Sequence, residues 1–407
     1  MPHSRFIVPR EIYYGPGALE RLATLPGERV LIVTDPGVRG SGLVEQAEKI
    51  LQTKKAEVAI FDQIEPDPPR SILLSIFSLA QEFKPDLFIG LGGGSSIDGG
   101  KAAWALYEHP DLATRPLQEI GRELRSRTLR HKAKYVAIPT TSGTGSEVTN
   151  VAVVTDRDVT PNVKRAWGSP QLVPDVAVAD PELAASMPPA VTANTGFDAL
   201  VHAIECYVLT PPSGLIDSLA LGAAKTVWEW LPRAVADGKD MQARDKMHLA
   251  ALQAGMAFSN GRLGLVHMTA HDVGAVFGIP HGLANAFMLC PVFAFLYPSR
   301  KERLSSLATS LGIAGRGHRG KTANLLASLD KLKQEIGIPL AIKGTGLDTA
   351  HFQAQLDLIA NNYMSGIGRN IATLPLDARR ASGMPASADE EKGLFMHAWN
   401  GTRAELK

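Results

Sequence analysis

The chain has 407 residues, enough for two domains with separate cores, and its 42 Lys and Arg against 41 Asp and Glu leave a formal charge of +1. Scattered, balanced charge argues against nucleic acid as the main partner. The two cysteines, Cys206 and Cys290, form neither a CxxC pair nor a disulfide framework, which fits a reducing compartment and places in the core.

The first 14 residues contain no apolar h-region and no small-residue cleavage site, so a cytoplasmic location is expected. Two short β-like runs flank Pro9-Arg10, and Gly15-Pro16-Gly17 turns the chain into a helix over 18–24. An α/β alternation follows: strand 29–34, helix 43–53, strand 57–61, helix 71–83, strand 86–91. Strands with unbroken apolar centres, separated by helices, predict a parallel sheet covered on both faces. The Gly-rich stretch 92–101 opens a helix over 102–107, and the basic run 122–132 reads as a solvated loop ahead of strand 134–139. Shorter β runs are expected at 152–155, 164–167 and 173–179. Beyond Ser186-Met187-Pro188-Pro189 nearly every segment reads as helix, broken at places such as Pro211-Pro212-Ser213-Gly214 and Gly278-Ile279-Pro280. The longest apolar stretch, 283–297, is interrupted by Asn285 and Pro291 and reads as a buried helix, so no membrane partner is expected. The expected architecture is an α/β dinucleotide-binding domain with a Rossmann-like parallel sheet over 1–187 and an all-helical, metal-binding domain over 188–407.

Four features carry chemistry. Gly92-Gly93-Gly94-Ser95-Ser96-Ile97-Asp98 lies between a buried strand and a helix, where side-chain-free backbone and a helix start can hold a pyrophosphate. It matches neither GxGxxG nor the P-loop, and a plain tight turn is the alternative. Asp35 ends the first long strand and can either bond a ribose and repel a 2′-phosphate or cap the turn at Pro36-Gly37. Thr140-Thr141-Ser142-Gly143-Thr144-Gly145-Ser146 follows another strand, offering hydroxyls and amides at the same edge of the sheet.

The fourth feature is a pair of helical fragments. Asp198 and His202 stand at i, i+4 with Glu205 on the same face, and His267 and His271 repeat the spacing. The Gly278-Ile279-Pro280 break lets His281 return toward them. One carboxylate with several neutral imidazoles suits a divalent transition metal, although the spacing does not say which residues ligate and which do chemistry.

Taken together, Gly92-Gly93-Gly94-Ser95-Ser96-x-Asp98, Thr140-Thr141-x-Gly143-Thr144-Gly145-Ser146-Glu147-Val148-Thr149, Gly196-x-Asp198-Ala199-Leu200-x-His202-x-x-Glu205 and His267-x-x-x-His271 with Pro280-His281-Gly282 resemble the iron-containing (group III) alcohol dehydrogenase family. The resemblance runs from about residue 5 to 300. It implies Asp198, His202, His267 and His281 as ligands of Fe²⁺, with Zn²⁺ or Mn²⁺ as substitutes, and His271 as a proton relay near the nicotinamide. It implies NAD contacts from Asp35, Gly92, Gly93, Gly94, Ser95, Ser96, Asp98, Thr140, Thr141 and Thr144, with Lys164 near the ribose.

The implied reaction interconverts a primary alcohol or diol with its aldehyde by hydride transfer to and from NAD(H). A homo-oligomer, at least a dimer, is expected. Two departures stand out: Asp272 replaces the Pro that usually follows the second His, placing a carboxylate where it can tune His271, and the tail over 370–388 lacks the common Asn-Pro-Arg element. The rival reading is a dehydroquinate synthase-like lyase using NAD and a metal, but its metal shell begins with Glu where this chain has Asp198.

Overall fold

The structure, a computed structural model, describes residues 5–160, 162–365 and 382–406, without the side chains of 362–365. The Met364 side chain and segment 370–375, both noted from the sequence, lie outside the described residues. The strands are β1 (Glu11–Tyr14), β2 (Arg29–Val33), β3 (Glu57–Phe61), β4 (Leu87–Gly92), β5 (Lys134–Pro139), β6 (Val151–Asp156), β7 (Val163–Gly168) and β8 (Val176–Ala179). Six of them form a parallel sheet in the order β1-β8-β5-β4-β2-β3, whereas β6 and β7 make a separate antiparallel hairpin.

The absence of polar alternation in β2 has a direct cause. Val30 and Ile32 pack on one face with Val44, Ala47 and Leu51 of α2 (Leu43–Thr53), which follows the short α1 (Pro36–Gly40). Leu31 and Val33 pack on the other with Leu73, Ile76 and Phe77 of α3 (Arg70–Phe83). Both sheet faces are therefore covered. From β2 the chain goes to β3 on one side and returns to β4 on the other, so the carboxyl ends of β2 and β4 flank a topological switch point, where open α/β sheets bind ligands.

The helix after β4 begins earlier than its sequence suggests: α4 runs Gly94–Glu108, so Gly92 ends the strand and Gly93 alone makes the turn. Gly99 and Gly100, which read as loop, are close-packing positions inside the helix. A Cβ on Gly99 would meet Ile64 Cδ1 at 2.8 Å, and one on Gly100 would meet the Tyr135 hydroxyl at 2.4 Å.

Three other expectations change. Strand pairing near the start is confined to Glu11–Tyr14, because the Ile7 backbone instead bonds the Asn260 side chain at 2.6 and 2.8 Å. The helix expected over 18–24 is a tighter 3₁₀ turn, Ala18–Ala23. The basic run is not a free loop: Arg127 bonds Asp111 and Glu123, and Arg130 reaches Asp175 and the carbonyls of Gln171 and Val173.

After β8 the described chain is helical: α5 (Leu117–Glu123) precedes, and then come α6 (Pro189–Leu209), α7 (Gly214–Ala236), α8 (Met241–Asn260), α9 (Leu265–Phe277), α10 (His281–Ser310), α11 (Gly317–Glu335), α12 (Thr349–Ser365) and α13 (Ala388–Asn400). By length and composition α10 is apolar enough to cross a bilayer, but its most apolar window is 78% buried inside the fold, which makes it a core helix. Buried Arg244 of α8 ties the segment between the halves in place by donating to the Met187 and Gly238 carbonyls and the Thr192 hydroxyl.

On α13, Glu391 is fully buried and neither of its oxygens has a partner among the described residues. Burial first and Asp272 second push its carboxyl up to about 9. An acid whose pKa rises on folding gives full stability below its unfolded value near 4.5, and loses it as pH climbs toward 9. Glu391→Gln is therefore expected to raise urea-unfolding stability by about 1–3 kcal/mol at pH 8 and far less at pH 5; equal effects at both pH values would contradict this.

Candidate active site

Helix geometry brings the expected ligands together. Asp198, His202 and Glu205 share one face of α6, and His267 and His271 share one face of α9. Gly278, at φ +67°, ends α9, and Pro280 precedes the first residue of α10, His281. One donor atom from each of Asp198, His202, His267 and His281 lies within 4.8 Å of the others. Asp198 Oδ1 is 3.9 Å from the Nε2 atoms of both His267 and His281. Metal–ligand bonds of ~2.1 Å in a tetrahedron require donors ~3.5 Å apart, so a contraction of this cluster would make it a coordination shell.

Each donor is aimed by a further contact. Glu205 accepts from His267 Nδ1 at 2.5 Å and from the Val266 N–H at 2.7 Å, leaving His267 Nε2 buried with no partner among the described residues. The Gly143 carbonyl lies 3.3 Å from His202 Nδ1, which frees the opposite nitrogen. Asn285 donates to Asp198 Oδ1 at 2.7 Å and lies 3.2 Å from His281 Nε2. The His202 ring stacks between Phe258 and His267, at 4.4 and 4.6 Å. Burial lowers His202 to about 4 and His281 well below its usual value, so these rings are neutral at pH 7 with lone pairs to give. An orphaned buried nitrogen amid such donors fits a divalent transition metal such as iron.

His271 lies beside this cluster, its ring 5.1 Å from that of His281. Burial, then Lys164, His267 and His202, lower it to about 3. Asp272 is absent from those influences, contrary to the expectation that it tunes His271. Adjacent helix residues point in different directions, and Asp272 instead acts on Glu391. Lys164 on β7 pairs with Asp67 at 2.7 Å with its side chain almost fully buried.

At the switch point, Asp35 accepts from the Gly37 and Val38 N–H groups at 3.0 Å and from the Ser96 hydroxyl at 2.9 Å. It is a helix cap, and it is also bonded to the first turn of α4. A Cβ on Gly92, at φ +149°, would strike Ser96 Oγ at 2.6 Å, and one on Gly94 would strike Thr144 Cγ2 at 2.8 Å. The turn after β4 and the loop after β5 thus face each other, with Thr141 Oγ1 buried and unpartnered among the described residues. Asp98 accepts from the Val153 N–H at 3.0 Å, anchoring the β6–β7 hairpin. One cavity of about 470 Å³ is shared by Gly94, Ser95, Asp98, Thr144 and Lys164, by the four clustered donors and by His271.

Residues 9–181 match the family described as iron-containing alcohol dehydrogenase, and residues 192–370 match the C-terminal region of the Fe-containing alcohol dehydrogenase family. The chain belongs to the iron-containing alcohol dehydrogenase family. It is 40% identical over 405 residues to the NADPH-dependent butanol dehydrogenase of Clostridium saccharobutylicum, covering 99% of this chain and 100% of that one. It is 33% identical to the NAD-dependent methanol dehydrogenase of Bacillus methanolicus, covering 89% and 94%. A 1,3-propanediol oxidoreductase structure superposes with a TM-score of 0.85 at 29% identity, covering 98% and 100%. The dehydroquinate synthase-like alternative is not favoured.

Sequence reasoning about this iron-containing alcohol dehydrogenase missed Asn285, Asp67 and buried Lys101. Asn285 was within reach, since it is i+4 from His281 on the same helix. Lys101 donates to the Thr149 and Val151 carbonyls, a link between distant segments that no local pattern announces. Glu205→Gln is expected to weaken metal affinity by about 10–100-fold in a chelator competition, and Asp198→Ala to abolish binding; an unchanged affinity in Glu205→Gln would remove its orienting role.

Proposed function

We propose that this enzyme interconverts a primary alcohol or diol with its aldehyde, using NAD(H) in preference to NADP(H). In this reading Asp198, His202, His267 and His281 hold Fe²⁺, and Zn²⁺ or Mn²⁺ suits the same donors. The observation that carries it is the opening of the four-donor cluster and of Gly94 and Ser95, at the start of α4, onto one cavity. When bound, the metal supplies Lewis acidity at the substrate oxygen and the dinucleotide takes or gives the hydride.

The chain's own residues do the remainder. Gly92, Gly93, Gly94, Ser95, Ser96, Thr140, Thr141 and Thr144 present backbone amides and hydroxyls toward a pyrophosphate and nicotinamide. Asp98 and Lys164 hold the hairpin wall against them through Val153 and Asp67. Phe258, Leu263, Met268 and Val153 give the cavity apolar walls that suit a short alkyl chain and exclude water. His271 is neutral at pH 7, so it moves a proton by accepting on one nitrogen and releasing from the other. The division at 187/188 into a dinucleotide domain and a metal domain fits closure over substrate. Cytoplasmic residence and a homo-oligomer of at least two chains complete the reading.

Asp35 supports NAD over NADP, because a carboxylate bonded to Ser96, beside the Gly-rich turn, would repel a 2′-phosphate. The relatives differ on this point: one is named for NADPH and another for NAD. With anaerobically purified protein, metal analysis should find iron, and 1-propanol, 1-butanol or 1,3-propanediol should yield NADH with kcat/KM at least ~10-fold above that with NADP. Asp35→Ser should narrow or invert that ratio; a wild-type preference for NADP would refute the role given to Asp35. His271→Ala should keep its metal and lose about 10²–10⁴-fold in kcat, whereas His267→Ala and His202→Ala should lose both metal and turnover. The reverse pattern would exchange the roles of His271 and His267.

A further inference from the structure

The loop after β5 is gripped from two sides by the helical half. A Cβ on Gly143 would meet the Thr195 carbonyl oxygen of α6 at 2.5 Å, and one on Gly145 would meet Gly255 Cα of α8 at 2.6 Å. Neither contact tolerates a side chain, so α6 and α8 together fix where the loop's carbonyls point. Inside this grip Ser142 Oγ and His248 Nδ1 lie 2.9 Å apart, both buried. The carbonyl of the next residue, Gly143, is the group that meets His202 Nδ1.

Neither Ser142 nor His248 lines the cavity. His248 Nε2 is buried with no partner among the described residues, and burial lowers the ring to about 4. A neutral imidazole with one orphaned nitrogen is a poorer core residue than the alanines around it on α8. Its one bond is directed at the loop that touches both half-sites.

We propose that His248 is a positioning residue that, through Ser142 and the Gly143 carbonyl, sets the orientation of the His202 ring and couples dinucleotide binding to metal affinity. This rests on the proposed roles of His202 as a ligand and of Thr140, Thr141 and Thr144 as cofactor contacts. A loop held in one orientation for both ligands favours positive coupling, and whatever factor one ligand tightens the other by must hold in the reverse direction.

The test uses the full-length protein stripped of metal, with Co²⁺ as the probe, its visible spectrum reporting coordination and chelator competition giving its affinity with and without saturating NAD⁺. In the wild type NAD⁺ should tighten Co²⁺ about 5–10-fold. His248→Ala and Ser142→Ala should each weaken Co²⁺ about 10-fold, remove most of the NAD⁺ effect and raise KM for NAD⁺ more than they lower kcat. The double variant should be no worse than either single one, because both act through one bond. His248→Asn, whose amide nitrogen occupies the place of Nδ1, should restore the coupling. If His248→Ala does not fold, Ser142→Ala carries the test alone, since it removes a single oxygen. A loss of thermal stability with unchanged Co²⁺ affinity and NAD⁺ coupling in these variants would overturn the proposal. Equal Co²⁺ binding by the wild type and Asp198→Ala would instead overturn the metal-site reading beneath it.

Discussion

Convergence of one carboxylate and three imidazoles in a buried place works only if the rings stay uncharged. Two stacked rings 4.6 Å apart, those of His202 and His267, would repel if both were protonated, and burial disfavours the charge on His202. The acids nearby pull the other way: Asp198 and Glu205 both raise His202, but burial is the larger influence and leaves it near 4. A histidine depressed on folding contributes stability above its unfolded pKa near 6.5 and loses it as pH falls toward the folded value. The condition that keeps lone pairs available for a cation is thus the condition that keeps this part of the fold intact.

Everything around the cluster preserves that geometry. Glu205 is placed to hold one nitrogen of His267, and Asn285 spans Asp198 and His281. Strand order contributes the opposing wall, because the reversal between β2 and β4 puts Asp35 and Ser96 within 2.9 Å although 61 residues separate them. The hairpin closes the side. Lys101, buried beneath it, is lowered to about 8 by burial yet still donates three bonds to the Thr149 to Val151 segment, so a charged group near its neutral point serves as a backbone clamp.

The parts of this site that depend on helical spacing were legible in the sequence. Asp198 with His202, and His267 with His271, announce shared faces, and the Gly278-Ile279-Pro280 break announces the return of His281. Contacts across sequence were not. Gly143 meets His202 from 59 residues away and Glu205 meets His267 from 62, and no local pattern selects those partners. The start of α4 was misread for a different reason: Gly99 and Gly100 look like loop formers, whereas their use is to let Ile64 and Tyr135 approach a helix. Asp272 was misjudged because adjacency in sequence is not adjacency on a helix.

The same lesson about glycine sets the distance between the two half-sites. At the seams between elements a missing Cβ recurs: Gly94 against Thr144, Gly143 against Thr195, Gly145 against Gly255, and Gly282 against the Asn194 carbonyl at 2.1 Å. The last is the most demanding. A Cβ on Gly282 would also lie 3.2 Å from Asp198 Cβ, so the residue after His281 sits directly on the helix that carries Asp198. Coordination distances are satisfied only within ~0.2 Å, and a Cβ 2.1 Å from a backbone oxygen forces a larger shift than that. A methyl group at that seam would therefore disturb the packing of α6 on α10 and the donor set together, which makes the spacing of these helices a functional quantity as much as a packing one.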